Sequence, residues 1–564
     1  MKLSISLLSL TLFTICVGQH NLVKSLSAPV KHAITLSGAF GELRTGHFHS
    51  GLDIRSSNGS IGDSIYSISD GYISRLKIEP GGYGNSIYIS HTNGLKSVYA
   101  HLHSFRPDLQ DLASSVQSDS LNFSIDYHLE KDQIIVEQSE FIGTMGNSGN
   151  SFGPHLHFEI RDQNTDKLLN PALFGIKPKD TRPPTIQSFS VYQSDKSDHL
   201  LYFNQFDVFR DRPGSFSMLR DTLELSASHK TTISFRAFDR MNGSWNKNGL
   251  YKYRVFENEQ LITTVQFDEM RFADSEYIEF LSDQYQLNNK LSNFHQISIL
   301  TDSLSIVKSS DDFLTDQSVI NYLIQLEDVE GNQSQISFVI RLKTHEVQEI
   351  ISLKDQYLID PDTASIIPRG LFMVHFKKGT VPYGRYLYID NFQSENLDLL
   401  SITPSYLPLD KSFSVHYRHT DIDSALLSKL HFAKCNAKGE TINLGGVLSH
   451  SWLSTELSSL GSYAVDMDTI RPTIMAEQDA TSLSSDQEIS FIIQDNNKPS
   501  SKTQYLQYQL YVDDVPAILS YDLKNDRIYG RPLLKLSQGS HVIRLNVWDC
   551  QNNVSIYSKQ ISTY

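Results

Sequence analysis

The sequence predicts an all-β protein with several domains, and three observations favour this fold class. The chain has 564 residues, which corresponds to three to five domains at roughly 150 residues per domain. Tyr (27) and Phe (29) are abundant while charged residues make up 20%, a balance typical of β-rich folded proteins. After Asp180, short alternating segments recur between turns of Asn, Asp, Gly and Ser. We expect two or three β-sandwich domains in that region.

The first residues have the pattern of a secretory signal. Lys2 supplies the positive charge, an apolar stretch runs from Leu3 to Val17, and the small Gly18 suits cleavage. We therefore expect residues 1–18 to be a signal peptide and the mature protein to be exported, to the periplasm or cell envelope or out of the cell. A membrane anchor is the alternative, but the stretch is short and interrupted by serines. No other apolar run approaches spanning length, so we expect no transmembrane span in the mature chain.

Charge and cysteine content exclude several classes of protein. The net charge of −15 offers no basic patch for nucleic acid, so no nucleic-acid partner is expected. Charge alone would also not hold an acidic protein on an anionic cell wall. Binding specificity must therefore come from a defined site. Once the signal is removed, only Cys435 and Cys550 remain. They lie far apart in the sequence and do not indicate a disulfide framework.

Two echoed strings divide the chain. D-T-R-P-P-T-I begins at Asp180 and D-T-I-R-P-T-I begins at Asp468. Each is interpreted as a linker that opens a β domain, because Pro rigidifies the connection and the β-branched residues start a strand. A second echo places Asp and Asn four residues apart where a strand turns into a hairpin, in the pairs Asp328 with Asn332 and Asp549 with Asn553. Such hairpins are typical of immunoglobulin-like sandwiches.

These strings give the expected domain limits. A first domain at 19–179 is followed by β-sandwich domains at 180–345 and 346–467 and by an immunoglobulin-like sandwich at 468–564. The break between the second and third falls near 342–350. In the segments after position 180, no histidines, cysteines or carboxylates gather at metal-ligand spacing along the sequence. We interpret these domains as spacers or binding modules.

The residues that carry chemistry lie in three strings of the first domain. In H-F-H-S-G-L-D, His49 and Asp53 are four apart, and Gly51 between them lets the backbone bend so that both can reach one ion. In Y-A-H-L-H, which follows an Asn-Gly hairpin signal, His101 is expected on a strand. By itself this residue has an ordinary explanation as a buried structural histidine.

The third string is a glycine-rich loop followed by H-L-H-F-E. It delivers a short strand on which His155 and His157, two residues apart, point the same way. Glu159 falls on the same face, where a structural role or a contact to a metal ligand is favoured over catalysis. The even spacing within each string turns its members towards one face, which indicates one shared site.

Taken together, His49, Asp53 and His157 would form a three-ligand zinc site with an open fourth position for water, as catalytic zinc requires. Zinc lowers the pKa of its water towards about 7 and polarises a peptide carbonyl. His101 and His155 remain for proton transfer and for stabilising the oxyanion. We expect one Zn²⁺ per chain.

The ordered set His-x-x-x-Asp, Tyr-x-His-Leu, glycine-rich loop and His-Leu-His-Phe-Glu resembles the lysostaphin/LytM-type zinc metallopeptidases. These are peptidoglycan endopeptidases with a compact antiparallel β fold and a groove over the metal. The resemblance covers about residues 36–174 and includes the string F-G-E-L-R that ends at Arg44. It implies that His49, Asp53 and His157 bind zinc and that His101 and His155 are catalytic.

Two features depart from the family's pattern. His47 and His103 fall outside it and are interpreted as local structure. A long polar insertion at about 104–140 stands where the family has a short hairpin. We expect a surface loop there, at the edge of the groove, because long polar loops shape access to sites.

The resemblance implies an exported zinc metalloendopeptidase, a hydrolase that cuts peptide cross-links of bacterial peptidoglycan by zinc-activated water. Its partners would be stem or cross-link peptides of the wall, with cleavage between D-amino acids favoured over a polyglycine bridge. Two alternatives stay open: a non-catalytic adaptor that activates another cell-wall hydrolase, and a peptidase acting on exported proteins. The presence of all three ligand positions and both catalytic histidines favours the enzyme. The C-terminal β domains would contact envelope protein partners or limit access to the groove.

Overall fold

The computed structural model describes much of the chain from residue 26 onwards, and it is almost entirely β, as predicted. The predicted signal peptide at 1–18 lies outside the described residues. Among those residues, no helix is long and apolar enough to cross a membrane. The described ranges are 26–44, 47–194, 200–218, 221–227, 230–281, 294–297, 307–309, 318–343, 356–381, 385–394, 397–403, 405, 409–420, 422–435, 441–477, 482–483, 488–497, 505–530 and 537–563.

The N-terminal unit is built from short strands and one longer helix, α1 (Pro107–Ser120), with a 3-10 turn at Pro171–Phe174. Its strands are β1 (Leu36–Gly38), β2 (Leu43–Arg44), β3 (His47–Phe48), β4 (Leu52–Arg55), β5 (Ser64–Tyr66), β6 (Gly71–Ile78), β7 (Ser86–His91), β8 (Leu95–Ala100), β9 (Leu102–Phe105), β10 (Ile125–His128), β11 (Ile135–Val136), β12 (Phe141–Met145), β13 (His155–Asp162) and β14 (Leu168–Leu169).

The main sheet of this unit positions the histidine strings. Its order is β1-β4-β13-β8-β7-β6-β10, with antiparallel neighbours throughout. The hairpin between β7 and β8 confirms the Asn-Gly turn predicted from sequence. On β13, Leu156, Phe158 and Ile160 are fully buried in the core. The alternate residues of β13 therefore face the other side of the sheet, next to β4 on one flank and β8 on the other.

The insertion at 104–140 is folded, so the expected surface loop is wrong. It contains α1, which begins with Pro107 at its first turn and buries Leu109 and Ala113. It also contains β10 and β11, which pair with β6 and extend the main sheet at the edge away from β13. The fixed backbone angle of Pro suits the first helical turn. Pro107 was therefore a sequence signal for a helix, and the polar composition of the segment had favoured a loop instead.

The second unit has the helical turns Phe272–Tyr277 and α2 (Ile278–Leu281). Its strands are β15 (Thr185–Ser194), β16 (Leu200–Arg212), β17 (Ser215–Met218), β18 (Thr222–Ser226), β19 (Lys230–Phe238), β20 (Lys252–Glu257), β21 (Gln260–Gln266), β22 (Glu269–Met270), β23 (Phe294–Ile297), β24 (Val307–Ser309), β25 (Val319–Glu327) and β26 (Gln333–Lys343). The long strand β16 pairs first with β15 and then with β17, which links the two layers of the unit.

The third and fourth units each form two sheets. The third has a 3-10 turn at Leu427–Lys429 and the strands β27 (Gln356–Ile359), β28 (Ser365–Arg369), β29 (Phe372–Phe376), β30 (Arg385–Ser394), β31 (Leu397–Thr403), β32 (Phe413–Arg418), β33 (Leu430–Cys435), β34 (Thr441–Gly445), β35 (Val447–Ser449), β36 (Trp452–Leu457) and β37 (Gly461–Met467). The fourth has β38 (Thr473–Ala476), β39 (Ser482–Leu483), β40 (Ile489–Gln494), β41 (Gln507–Val512), β42 (Val515–Ala517), β43 (Ser520–Asp522), β44 (Arg527–Gly530), β45 (Gly539–Trp548) and β46 (Val554–Thr563).

Both hairpins predicted from the Asp/Asn echo are present. β25 pairs with β26, and β45 pairs with β46. In β26, Ile336, Phe338 and Ile340 are buried while their neighbours are more exposed, as the alternating pattern requires. Cys435 and Cys550 are free thiols, in agreement with the absence of a disulfide framework.

The N-terminal and second units share one hydrophobic core, whereas the third and fourth have cores of their own. Phe267 of the second unit is 1% exposed, and its ring lies 5.9 Å from that of Phe48. A Cβ at Gly41 would come within 2.3 Å of the Phe267 ring, so glycine is required for this close approach. Strand pairing crosses the same junction, because β14 pairs with β22.

Replacing Phe267 by Ala should destabilise the junction between the first two units. Removing a fully buried Phe side chain costs about 3–5 kcal/mol, and here the loss falls on the shared core. Urea unfolding of the full chain, followed by circular dichroism, measures the change. Trp245→Ala is the control, because Trp245 is 87% exposed; its effect should stay within about 0.5 kcal/mol. Equal effects of the two substitutions would contradict a shared core.

Candidate metal centre and active site

Three side chains from two adjacent strands and the loop before them converge on one point. His49 precedes β4, Asp53 lies on β4, and His157 lies on β13 directly opposite Asp53 in the register. Asp53 Oδ1 is 2.9 Å from His49 Nε2 and 2.9 Å from His157 Nδ1, and the two nitrogens are 3.1 Å apart. All three residues are at most 5% exposed. Their three ligand atoms therefore form a compact cluster that could hold one metal ion.

Each of these side chains is held by a further contact on its far side. His49 Nδ1 donates to the Ala39 carbonyl at 2.7 Å, which leaves the Nε2 lone pair facing the cluster. Arg44 Nη2 donates to Asp53 Oδ2 at 2.6 Å, and His157 Nε2 donates to Glu159 Oε1 at 3.0 Å. Contacts of this kind fix the tautomer and orientation of metal ligands. Two imidazole nitrogens and one carboxylate oxygen are the donors that a catalytic zinc site uses, so the residues fit this metal.

Glu159 is the centre of a buried polar network beneath His157. It is fully buried and accepts hydrogen bonds from Ser50 at 2.6 Å and from the Tyr83 hydroxyl at 2.5 Å. The Arg161 guanidinium pairs with the other carboxylate oxygen at 2.6 Å. Burial raises the pKa of Glu159, but the Arg161 charge and the His157 hydrogen bond outweigh it and hold that pKa well below its usual range. The carboxylate is therefore charged and available to orient His157.

The same electrostatics set the protonation of the histidines. Burial lowers the pKa of His157, yet its hydrogen bonds to the Asp53 and Glu159 carboxylates raise it to about 9. For His49, burial dominates and lowers the pKa to about 4. A metal ion at this site would displace a proton from His157, so binding is expected to release protons.

His101 and His155 lie beside the cluster with one ring nitrogen fixed. His101 Nδ1 donates to the Ser148 carbonyl at 2.9 Å, and His155 Nδ1 donates to the Gly153 carbonyl at 2.8 Å. In both rings Nε2 is the nitrogen left to accept a proton. The ring centroids are 4.8 Å apart, and His155 Nε2 is 3.5 Å from Asp53 Oδ1.

The backbone around His101 differs from the prediction. His101 was expected on a strand, but it stands between β8 and β9 with a φ of 61°. This left-handed conformation is uncommon for a residue with a side chain and is typical of functional sites. Gly146 packs directly behind it, where a Cβ would come within 2.3 Å of the His103 nitrogen.

The structure brings together all five residues singled out in the sequence. His103 is exposed and His47 is half-buried, so both lie outside the cluster. Sequence reasoning missed Arg44, Ser50, Tyr83 and Arg161 as contacts of the cluster. Arg44 and Ser50 stood in strings quoted above, but the sequence gives no sign of which side chain reaches which ligand. Phe152 was also not singled out from the sequence; its side chain is fully exposed on the loop that leads to His155.

Comparison with known proteins identifies this unit. The profile of peptidase family M23 matches residues 47–117 and 123–171, a segment that contains the whole cluster and both flanking histidines. The chain contains a peptidase family M23 domain. The profile of the Zu5-like domain matches residues 356–468, within the third unit.

Two curated proteins and one solved structure are similar to the M23 domain of this chain. Among curated proteins, the DD-carboxypeptidase/endopeptidase Mpg of Neisseria meningitidis serogroup B is 30% identical over 159 residues, which are 28% of this chain and 30% of that protein. The cell division protein DipM of Caulobacter vibrioides is 26% identical over 170 residues, 27% of this chain and 24% of that protein. A solved zinc-containing peptidase from Vibrio cholerae is 25% identical, covers 27% of this chain and 39% of its own, and has a TM-score of 0.20. This chain thus spans under a third of the curated relatives' length.

The fourth unit reaches the loop that borders the M23 site. Lys524 Nζ donates to the backbone carbonyl of Asn147 at 2.5 Å and to its side-chain oxygen at 3.0 Å. The same side-chain oxygen accepts a hydrogen bond from Ser151, which also contacts His155 Nδ1 at 3.1 Å. On the insertion, Ser124 lies 3.3 Å from the Tyr505 hydroxyl. The fourth unit therefore packs against the M23 domain on the side of its glycine-rich loop.

Replacing Glu159 by Gln should weaken zinc binding by about 10–100-fold, because the second contact of His157 would lose its charge. Gln keeps the size of the side chain, so the expected loss is in affinity and not in folding. Competition with a zinc chelator of known affinity measures it. Glu137→Gln, at an exposed position, is the control and should leave the affinity unchanged. An unaltered affinity in the Glu159 variant would refute the orienting role.

Proposed function

We propose that this protein is an exported zinc-dependent endopeptidase that hydrolyses peptide cross-links of bacterial peptidoglycan. The observation that carries the proposal is the joint presence of the His49, Asp53 and His157 cluster and of two histidines beside it. A domain that had lost catalysis would not need both kinds of residue. The M23 family is one of metallopeptidases, which supports hydrolysis of a peptide bond and a place in the cell envelope.

His49, Asp53 and His157 are proposed to hold the metal through Nε2, Oδ1 and Nδ1. When bound, zinc supplies Lewis acidity, which polarises a peptide carbonyl and lowers the pKa of water. The positive charge of Arg44 compensates the negative charge of the Asp53 carboxylate, on the side away from the cluster. Glu159 holds His157 in the tautomer that presents Nδ1 to the site.

His101 and His155 are proposed to move protons and to stabilise the negative charge of the transition state. Burial, followed by the neighbouring His157 and His155, lowers the pKa of His101 well below its usual range. The ring is then neutral, and its Nε2 can accept a proton from attacking water. Once its Nε2 has taken up a proton, His155 is placed to donate it towards a developing oxyanion or leaving amine.

The bond that is cut is proposed to be the cross-link between D-amino acids. The matched relative from N. meningitidis carries the name DD-carboxypeptidase/endopeptidase, which favours this bond over a polyglycine bridge. An adaptor that activates another hydrolase is the second candidate. It is favoured only by the match to a cell division protein whose name states no peptidase activity.

The test incubates the zinc-loaded full chain with intact peptidoglycan and analyses the released muropeptides by mass spectrometry. Wild-type protein should release cross-link fragments, and a chelator should abolish release. His101→Ala and His155→Ala should each lower the rate by about 10²–10⁴-fold, the usual contribution of general acid–base catalysis. His103→Ala is the matched control, because its exposed side chain stands two residues from His101 and outside the cluster.

Two outcomes would replace this proposal. If zinc-loaded wild-type protein released no muropeptides while His157→Ala still activated a partner hydrolase, the adaptor would be the correct function. If it cut an unfolded exported protein but no form of peptidoglycan, the substrate would be protein. Equal activity of the His101, His155 and His103 variants would refute the roles given to the first two.

A further inference from the structure

Two clusters of three aspartates lie outside the M23 domain. In each cluster the ligand oxygens of the three carboxylates lie within 4.8 Å of one another. One residue comes from the linker that opens the unit, one directly follows a strand, and one begins the turn of the long hairpin. The first cluster is Asp180, Asp239 and Asp328, and the second is Asp468, Asp495 and Asp549. We expected no ligand cluster in this part of the chain, because these residues are separated by tens of positions in the sequence.

The first cluster contains buried carboxylate oxygens without a hydrogen-bond partner. Asp180 Oδ1 accepts hydrogen bonds from the backbone nitrogens of Thr181 at 2.8 Å and Asn242 at 3.0 Å, but Oδ2 is buried and has no partner. Asp239 is 4% exposed, and its Oδ1 likewise has none. Because a buried polar atom without a hydrogen-bond partner is destabilising, and more so when it is charged, these atoms indicate a bound ligand.

The second cluster repeats this arrangement atom for atom. Asp468 is 3% exposed; its Oδ1 accepts from the Ile470 nitrogen at 3.0 Å, while Oδ2 is buried without a partner. Asp495 Oδ1 is also buried without a partner. In both clusters the unsatisfied oxygens belong to the linker aspartate and to the aspartate that follows a strand.

The third aspartate of each cluster is built into the same hydrogen-bonded frame. Asn332 donates through its backbone nitrogen and its side chain to the two oxygens of Asp328, at 2.8 and 2.7 Å. Asn553 does the same to Asp549, at 2.8 and 2.8 Å. Each asparagine also donates to the carbonyl of the linker aspartate, and a serine two residues later donates to the carbonyl of a linker proline. The repeated Asp/Asn pattern in the sequence therefore corresponds to the same arrangement of hydrogen bonds in two units.

The negative charges of these carboxylates are crowded together. Within the described residues, none of the six aspartates forms a salt bridge with Lys, Arg or His. Burial and the charges of Asp328 and Asp180 raise the pKa of Asp239 well above its usual range. Burial and the charges of Asp468 and Asp549 raise the pKa of Asp495 to about 6. Both shifts have the sign expected for carboxylates crowded together without a cation.

We propose that each aspartate cluster binds one Ca²⁺ ion. The donors are oxygens only. This donor set suits a hard cation and disfavours zinc and copper, which prefer nitrogen and sulfur ligands. Three converging carboxylates supply part of the irregular oxygen shell that Ca²⁺ takes. Mg²⁺ prefers strict octahedral geometry and retains several waters, which a buried cluster does not favour.

The bound ions would fix the junctions between units. Asp180, Asp239 and Asp328 line a pocket whose wall also contains Ala39 and Asn170 of the N-terminal unit. Around the second cluster, Lys429 Nζ donates to the Gln551 carbonyl at 2.7 Å, and the Asn497 side chain lies 2.9 Å from His431 Nε2. Calcium would therefore stiffen the connection of the M23 domain to the second unit and of the third unit to the fourth.

Isothermal titration of the zinc-loaded full chain with CaCl₂, after treatment with a calcium-selective chelator, tests the proposal. Wild-type protein should bind two Ca²⁺ ions per chain, with at least tenfold preference over Mg²⁺. Asp239→Asn and Asp495→Asn should each bind one, and the double variant none. Asp→Asn keeps the size of the side chain and removes the buried charge, so these variants should fold. Asp362→Asn, at a side chain that is 85% exposed, should still bind two.

Thermal melting with and without calcium provides a second readout. Calcium should raise the Tm of wild-type protein, and the double variant should have the same Tm in both conditions. Zinc content should be unchanged in all variants, which separates this test from that of the M23 site. Absence of calcium binding by wild-type protein at millimolar concentration would overturn the proposal, as would two ions bound by the double variant.

Discussion

The Asp53 carboxylate is the interaction on which the M23 site depends. Its Oδ1 contacts His49 and His157 at 2.9 Å, and its Oδ2 pairs with Arg44 at 2.6 Å. Burial raises the pKa of Asp53, but its histidine contacts hold it well below the usual range. A buried carboxylate is tolerated only when it is paired on all sides. Its position on β4, opposite His157 on β13, therefore fixes the two histidines relative to each other.

The rest of the molecule supports this arrangement from two sides. The Gly249 nitrogen of the second unit donates to Glu42 at 3.1 Å, and Glu42 lies 3.9 Å from the Arg44 guanidinium. A chain of polar contacts thus leads from the second unit to Asp53. On the other side, Lys524 of the fourth unit holds Asn147 in the glycine-rich loop, near the carbonyl that fixes His101. The second and fourth units are therefore part of the frame around the M23 site.

Much of the site could be predicted from sequence, because its residues stand in short strings with fixed spacing. Two-residue periodicity places His155 and His157 on one face whatever the tertiary packing. The hairpins at Asn332 and Asn553 follow from local turn chemistry in the same way. The left-handed backbone of His101 could not be predicted, because the residue that packs against it, Gly146, is distant in the sequence. The aspartate clusters could not be predicted from the sequence. Asp180 and Asp239 are far apart along the chain, and only the tertiary fold brings them together.

The most direct test of the metal centre is a crystal structure of the zinc-loaded protein with anomalous data collected on both sides of the zinc absorption edge. If His49, Asp53 and His157 bind the metal, one strong anomalous peak is expected about 2.0–2.2 Å from His49 Nε2, Asp53 Oδ1 and His157 Nδ1. His101 and His155 should lie beside the peak without entering its first coordination shell. A peak bound by His101 or His155 in place of Asp53, or no peak at this cluster in zinc-loaded crystals, would contradict it.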